Sequence, residues 1–205
     1  MAENKPQYIV VHHSATADNK SFNDTVTIRK NHIAQGWIDI GYHYTVEYVD
    51  GKVMVQQGRP EWQRGAHCDY GGMNFKSVGI CVIGNFNLYP PPDEMLAALV
   101  KLIKSIRMKY KIPIDKVVGH KDTGAATACP GKYFKMDKVH KMLKEADKPQ
   151  NDWEGHWNRN DIKLMISEGI MVGDLPDGSK WRPEDGLKRH ELATVIANLI
   201  RRGRL

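Results

Sequence analysis

The chain has 205 residues, is 41% hydrophobic and 26% charged, and carries a formal net charge of +6. The composition is globular, and the absence of any run of 18 apolar residues excludes a transmembrane helix and argues against a membrane partner. The charge surplus lies in residues 1–149, which hold 21 Lys and Arg against 15 Asp and Glu, and it suits an anionic polymer such as a bacterial envelope; no nucleic-acid motif accompanies it, which argues against nucleic acid.

The first predicted element is an apolar strand over 8–11, which ends in two adjacent histidines. A segment with helical spacing over 26–36 follows, and it ends at a glycine. Residues 42–58 alternate in polarity around Asp50-Gly51, the dipeptide that tight hairpin turns favour. These patterns predict a strand, a helix and a β-hairpin.

The stretch 59–76 is long, irregular and glycine-rich, and loops of this kind tend to be functional. Apolar runs predict strands over 77–84 and 116–120. Helical periodicity predicts helices over 91–110 and 134–146. Because strands and helices intermix, residues 1–147 are predicted to form an α/β or α+β domain.

A polar, proline-containing segment over 148–152 predicts a linker, and residues 153–205 predict a separate module. The module contains two helical stretches separated by a turn-rich segment. About 50 residues bury little apolar surface, so we expect this module to dock on a partner or to self-associate.

The first residues lack a basic region followed by an apolar stretch, so no secretory signal is predicted and the protein is expected in the cytoplasm until something releases it.

The cysteines are Cys68, Cys81 and Cys129, and their odd number argues against a disulfide framework. Cys81 lies in an apolar strand and is expected to be buried. Cys68 has no identifiable partner.

His12, His120 and Cys129 form a candidate zinc site. Both histidines end predicted strands, and Cys129 follows His120 after a short Gly/Ala/Thr loop. Catalytic zinc usually takes three protein ligands and a water, and imidazole and thiolate are suitable donors. The alternative is a buried histidine and a loop cysteine. Strand alternation sends His12 and His13 to opposite faces, but the apolar run before them does not show which one faces the site.

Six segments occur in order between residues 7 and 145: YIVVHHSAT, QGWIDIGYHYTVEYVDGKV, GAH, NFKSVGICVIGNF, GH and TACPG. Together they resemble the zinc-dependent N-acetylmuramoyl-L-alanine amidases of the type 2 family, which includes phage lysozymes and shares its fold with peptidoglycan recognition proteins. The resemblance implies an α/β fold with a mixed sheet flanked by helices. It also implies that His12, His120 and Cys129 hold zinc and that His13 does not.

The implied reaction is hydrolysis of the amide between N-acetylmuramic acid and L-alanine in peptidoglycan. Tyr42 matches a family tyrosine whose phenol would hydrogen-bond the water or the developing oxyanion; by itself it reads as a packing residue at a strand end. Thr127 stands where some phage members carry a lysine. Threonine has no useful pKa for proton donation, so the implied role is a hydrogen bond to the carbonyl or water.

Other histidines and one asparagine receive weaker assignments. His67 matches a groove histidine that would contact the muramyl peptide; the alternative is a solvated loop residue. Asn74 is predicted either to bind substrate or to make a turn. His43 is expected to be structural. The remaining histidines are expected on the surface or in packing, namely His32, His140, His156 and His190.

The C-terminal module resembles a single S-layer homology motif. The matching positions are Trp157, Gly169-Ile170, Gly173, Pro176-Asp177-Gly178, Trp181-Arg182-Pro183, Arg189 and Glu191. One extra residue after Gly178 departs from the motif. The resemblance implies binding of an anionic secondary cell-wall polysaccharide, with Arg189 as the candidate for a carboxylate; otherwise Arg189 only begins a helix.

The combined prediction is a phage or prophage endolysin, kept in the cytoplasm until a pore admits it to the cell wall. Two alternatives remain open, a non-catalytic peptidoglycan-binding protein of the same fold and an amidase that recycles muropeptides. The recycling enzyme would not need a wall-binding module.

Overall fold

A computed structural model describes residues 3–17, 24–148, 159–169, 195–197, 199–201 and 203. The chain divides into two compact units, Met1–Asp147 and Lys148–Leu205. Most of the predicted motif in the second unit, including Arg189, lies outside the described residues. The described part of that unit includes the helix α4 (Arg159–Ser167).

The first unit is built on a mixed five-stranded sheet. Its strands are β1 (Tyr8–His13), β2 (Tyr44–Val49), β3 (Lys52–Gln57), β4 (Ser77–Val82) and β5 (Val117–Gly119). They lie in the order β3-β2-β4-β1-β5. β1 runs parallel to both β4 and β5, β2 is parallel to β4, and β3 is antiparallel to β2. The predicted α/β fold with a mixed sheet flanked by helices is confirmed.

The β2–β3 hairpin turns at Asp50 and Gly51, as predicted. Both residues have positive φ, 50° and 74°, which is the backbone that a type I′ turn requires. The strand begins at Tyr44, so the prediction that Tyr42 and His43 lie within it was wrong. β1 instead runs two residues beyond its predicted end, because its pairing with β4 continues to His13 and Val82.

The helices of the first unit are α1 (Asp24–Ala34), α2 (Asp93–Tyr110) and α3 (Met136–Ala146). None of the helices in the described part of the chain is long and apolar enough to cross a membrane. The main core joins α2 and α3 to one face of the sheet, and it includes Ile9 and Val11 of β1. Val10 belongs instead to a small cluster with Cys68 and Met73.

These two clusters identify the faces of β1. Alternate residues of a strand share a face, so His12 lies on the side of Val10 and His13 on the side of Ile9 and Val11. His12 therefore faces the loop that carries Cys68, and His13 faces the helices.

The carboxylate of Glu61 joins this loop to the sheet and to α2. It accepts hydrogen bonds from the hydroxyls of Tyr44 and Tyr110, both at 2.8 Å, and from Lys109 Nζ at 2.5 Å. Burial opposes ionisation of Glu61, but the donors outweigh it, and the pKa of the carboxyl is lowered. The ionised form is therefore the one that stabilises the fold.

The first prediction concerns this network. We expect Glu61→Gln to lower the free energy of unfolding by about 1–3 kcal/mol at pH 7, because buried donors lose an ionised acceptor. A lowered folded-state pKa contributes stability above the unfolded value of about 4.3, and this is lost as pH falls through the folded pKa. Urea unfolding should therefore show the difference between wild type and variant shrinking in acid.

Glu94→Gln is the matched control. Glu94 is exposed and accepts a single hydrogen bond, from the Tyr48 hydroxyl at 2.8 Å. Exposed substitutions usually change stability by less than about 0.5 kcal/mol. An equal loss in both variants, or a Glu61→Gln loss that is the same at every pH, would contradict the prediction.

Candidate functional site

His12, His120 and Cys129 converge at one edge of the sheet. β1 and β5 are adjacent and parallel, with Val11 beside Gly119, so the residues that follow them lie side by side. Cys129 returns to this edge because its carbonyl oxygen accepts the N–H of Lys121 at 2.7 Å. The ligand atoms of the three residues all lie within 4.8 Å of one another. The structure therefore brings together the predicted metal ligands.

The two ring nitrogens of His12 have different neighbours. Nδ1 lies 3.7 Å from Cys129 Sγ, whereas Nε2 lies 3.0 Å from Nδ1 of His67. The rings of His12 and His120 have centroids 4.5 Å apart. Nδ1 of His12 is therefore the nitrogen on the side of Cys129.

The surroundings of the site suit a metal. Burial lowers the pKa of His12 and of His120, so both imidazoles are neutral at neutral pH and keep a lone pair for a cation. Burial raises the pKa of the Cys129 thiol to about 11, against an N–H that His13 donates to its sulfur. A neighbouring metal ion lowers a thiol pKa and favours the thiolate.

His13 serves the site through its backbone. Its N–H lies 3.4 Å from Cys129 Sγ, while its ring lies on the helix face, where Nδ1 accepts the N–H of Phe86 at 3.2 Å. This hydrogen bond connects the segment that follows β4 to strand β1. The imidazole of His13 does not belong to the metal cluster.

Tyr42 and Thr127 lie beside the cluster. The ring of Tyr42 is 5.3 Å from that of His12. The sulfur of Cys81, burial and the sulfur of Cys129 together raise the pKa of the Tyr42 phenol well above its usual value, so it keeps its proton at neutral pH. Thr127 Oγ1 accepts the N–H of Cys129 at 3.1 Å and shapes the loop of that ligand.

His67 is buried, so the interpretation of it as a solvated loop residue was wrong. Asn74 is also buried, and its Oδ1 accepts the N–H groups of His67 and Cys68 at 2.8 and 2.9 Å. Asn74 therefore holds the backbone that carries His67.

His43 is structural, as predicted: its Nδ1 accepts the N–H of Gly79, and its Nε2 lies 2.9 Å from the Gln63 carbonyl oxygen.

A cavity of about 730 Å³ opens beside this site. It is lined by Trp37, Ile38, Arg59, Gln63, Arg64, Ala66, His67, Cys68, Asp69 and Asn74. His67 touches both the cavity and His12, so the cavity adjoins the metal cluster. Most of the lining comes from the loop over 59–76, which the sequence predicts to be functional.

Some lining residues were missed from sequence. Arg59 is buried, and its guanidinium donates to the carbonyl oxygens of Asp39, Ile40 and Arg64, which shapes the wall. Trp37 stacks on His32 with centroids 4.4 Å apart. Trp37 lies in one of the segments that carry the family resemblance, but the sequence assigned neither residue to the site, because their positions depend on contacts between separate loops.

Comparison with known proteins places this site in context. The model of the family described as N-acetylmuramoyl-L-alanine amidase matches residues 2–132. A peptidoglycan-recognition protein of Drosophila simulans is 32% identical over 148 residues, 69% of this chain and 76% of that protein. The endolysin of Enterobacteria phage K11 is 34% identical over 125 residues, 58% of this chain and 77% of that protein.

Solved structures share the fold. The N-acetylmuramoyl-L-alanine amidase LysC from Clostridium intestinale superposes with a TM-score of 0.58 at 29% identity, covering 69% of this chain and 87% of that one. Bumblebee PGRP-SA superposes with a TM-score of 0.57 at 33% identity, covering 70% of this chain and 84% of that one.

Proposed function

This chain belongs to the N-acetylmuramoyl-L-alanine amidase family, and we propose that it is a zinc-dependent peptidoglycan hydrolase. Its substrate bond would be the amide between N-acetylmuramic acid and L-alanine. The observation that carries the proposal is the convergence of His12, His120 and Cys129, whose ligand atoms lie within 4.8 Å of one another.

The donor set fits zinc. Catalytic zinc sites hold three protein ligands and leave one position open, and imidazole nitrogen and thiolate sulfur are established donors. When bound, zinc supplies a Lewis acid for the amide carbonyl and lowers the pKa of a water to about 7. The imidazoles of His12 and His120 are neutral, so each keeps a lone pair for a cation. The N–H of His13 lies at the Cys129 sulfur and favours its thiolate form.

The remaining chemistry falls to side chains beside the ligands. Tyr42 keeps its proton, so its hydroxyl is a hydrogen-bond donor for the oxyanion that develops as the amide is attacked. Thr127 is a second hydroxyl in the loop of Cys129, and it would orient the carbonyl or the water. The cavity lined by His67 and Asn74 would receive the muramyl peptide.

A non-catalytic peptidoglycan-binding protein is the second candidate, because relatives of this chain include peptidoglycan-recognition proteins. Binding alone has no need of three converging metal ligands, which favours the enzyme. An amidase that recycles muropeptides has the same chemistry and differs only in its substrate, soluble fragments in place of intact walls.

The second prediction tests the activity. Purified full-length chain incubated with Gram-positive cell walls should generate new N-terminal L-alanine. A chelator should stop the release because it removes the metal, and added Zn²⁺ should restore it. Release that continues after the metal is stripped would refute the mechanism. Wall binding without any new alanine amine would identify the non-catalytic protein, and cleavage restricted to soluble muropeptides would identify the recycling enzyme.

We also propose that residues 153–205 tether the enzyme to an anionic wall polymer, with Arg189 binding a carboxylate. The support is the resemblance to an S-layer homology motif, and a tether would raise the local substrate concentration. A location in the cytoplasm before release stays a prediction of the sequence.

The third prediction tests the tether. A chain ending at Asp147 corresponds to the first compact unit. It should lose sedimentation with walls while still cutting soluble muropeptide, because its cluster and cavity lie within residues 1–147. Arg189→Gln in the full chain should weaken sedimentation without affecting cleavage of the soluble substrate. Unchanged sedimentation of the shortened chain would refute the tether.

A further inference from the structure

A chain of buried hydrogen bonds connects the backbone of Met73 to the imidazole of His12. The Ser77 hydroxyl donates to the Met73 carbonyl oxygen at 2.7 Å. Ser77 Oγ also lies 3.4 Å from His67 Nε2, and His67 Nδ1 lies 3.0 Å from His12 Nε2. Ser77, His67 and His12 are all buried.

The donor and acceptor roles in this series of hydrogen bonds follow from the Met73 carbonyl oxygen at its end. A carbonyl oxygen only accepts, so the single hydrogen of Ser77 points to Met73, and Ser77 Oγ is left to accept from His67 Nε2. A neutral imidazole has one N–H, so Nδ1 of His67 is an acceptor. The hydrogen between the two histidines must then belong to Nε2 of His12.

His12 Nδ1 is thereby left with its lone pair, on the side of Cys129 Sγ at 3.7 Å. We infer that His67 is a positioning residue, which with Ser77 sets the tautomer of His12 and presents Nδ1 to the metal. The inference rests on the metal site of the proposed function. It replaces the contact with the muramyl peptide as the main role of His67.

The local packing holds His67 in this orientation. A Cβ atom at Gly79 would lie 2.3 Å from His67 Cδ2, so the ring occupies the space that only a glycine leaves open. Asn74 Oδ1 accepts the N–H of His67 and fixes its backbone. The ring nitrogens therefore have little freedom to leave His12 and Ser77.

Such an acceptor usually matters for metal binding. Imidazole ligands generally donate their second ring N–H to a partner, and loss of that partner typically lowers metal affinity by about 10–100-fold. The expected effect of losing His67 is a weaker metal site, with the three ligands themselves still present.

The test uses Co²⁺ as the probe and the full-length chain. We expect His67→Leu to weaken Co²⁺ affinity by about 10–100-fold in absorption titrations. His67→Asn should keep affinity close to wild type, because Oδ1 of asparagine can accept near the position of Nδ1. His140→Leu is the control for losing a histidine away from the cluster, whose Nε2 lies 2.7 Å from the Val117 carbonyl oxygen, and it should bind Co²⁺ like wild type.

Imidazole nitrogen NMR of the metal-free wild type gives an independent readout. His12 and His67 should both carry their hydrogen on Nε2. An Nδ1–H form of either histidine would overturn the inference, as would wild-type affinity in His67→Leu or no Co²⁺ binding by the wild type. If His67→Leu does not fold, the NMR result and the affinity of His67→Asn still decide.

Failure of this inference and failure of the proposed function give different results. A chain with the expected tautomers and affinities that releases no L-alanine from walls loses the proposed activity and keeps this inference. A chain that cuts the amide while His67→Leu binds Co²⁺ like wild type loses only the inference.

Discussion

His12→Ala is expected to abolish zinc binding and amidase activity, whereas His13→Ala should keep the metal. His12 faces Cys129 and His120, so its removal takes one of three ligands from the cluster. His13 contributes its backbone N–H to Cys129 Sγ, and alanine retains that group. Elemental analysis of the two purified variants, followed by the L-alanine release assay, measures the difference.

His13→Ala should still have a cost in stability. Its ring accepts the N–H of Phe86, and losing a buried partner costs about 1–3 kcal/mol. Thermal unfolding measures this cost independently of zinc content. Zinc retained by His12→Ala, or lost from a folded His13→Ala, would show that the cluster is assigned to the wrong histidine.

Tyr42→Phe is expected to lower kcat by about 10²–10³-fold, the usual effect of removing one oxyanion donor. Zinc content and KM should change little. The substitution deletes only the hydroxyl, and the ring that packs 5.3 Å from His12 is kept. Steady-state kinetics on a soluble muropeptide, with zinc content measured in parallel, tests this result.

Tyr44→Phe is the matched control. Its hydroxyl donates to Glu61 at 2.8 Å and belongs to the structural network. We expect a loss of about 1 kcal/mol of stability and an unchanged kcat. A Tyr42→Phe enzyme that keeps zinc and the wild-type kcat would remove Tyr42 from the mechanism.

The hairpin turn and the long helix could be predicted from sequence, because each depends on residues that are close together along the chain. The turn at Asp50 and Gly51 follows from the backbone that these two residues tolerate. The long helix α2 follows from apolar spacing that repeats over 18 residues. Strand ends were less predictable, since they depend on how far a neighbouring strand continues to pair, as β4 does with His13.

The sequence predicted which residues belong to the site better than it predicted their contacts. The residues of the cluster were identified from their types, their places at strand ends and the ordered motifs around them. His67 and Asn74 were identified as site residues, but their contacts were not. Asn74 supports a backbone, and His67 meets a metal ligand 55 positions earlier in the chain.

The amino-acid sequence by itself identified three residues that could bind a metal, with His12 and His120 at predicted strand ends and Cys129 in a loop, and it placed them in an α/β domain. Strand alternation alone left open which histidine of the adjacent pair faces the site; the family resemblance implied His12, and the tertiary structure supplies the physical reason. Alternation separates His12 from His13, but the packing of α2 and α3 on one face of the sheet decides where each one points. The partner of His12 likewise comes from a distant loop, and nothing along the strand specifies it.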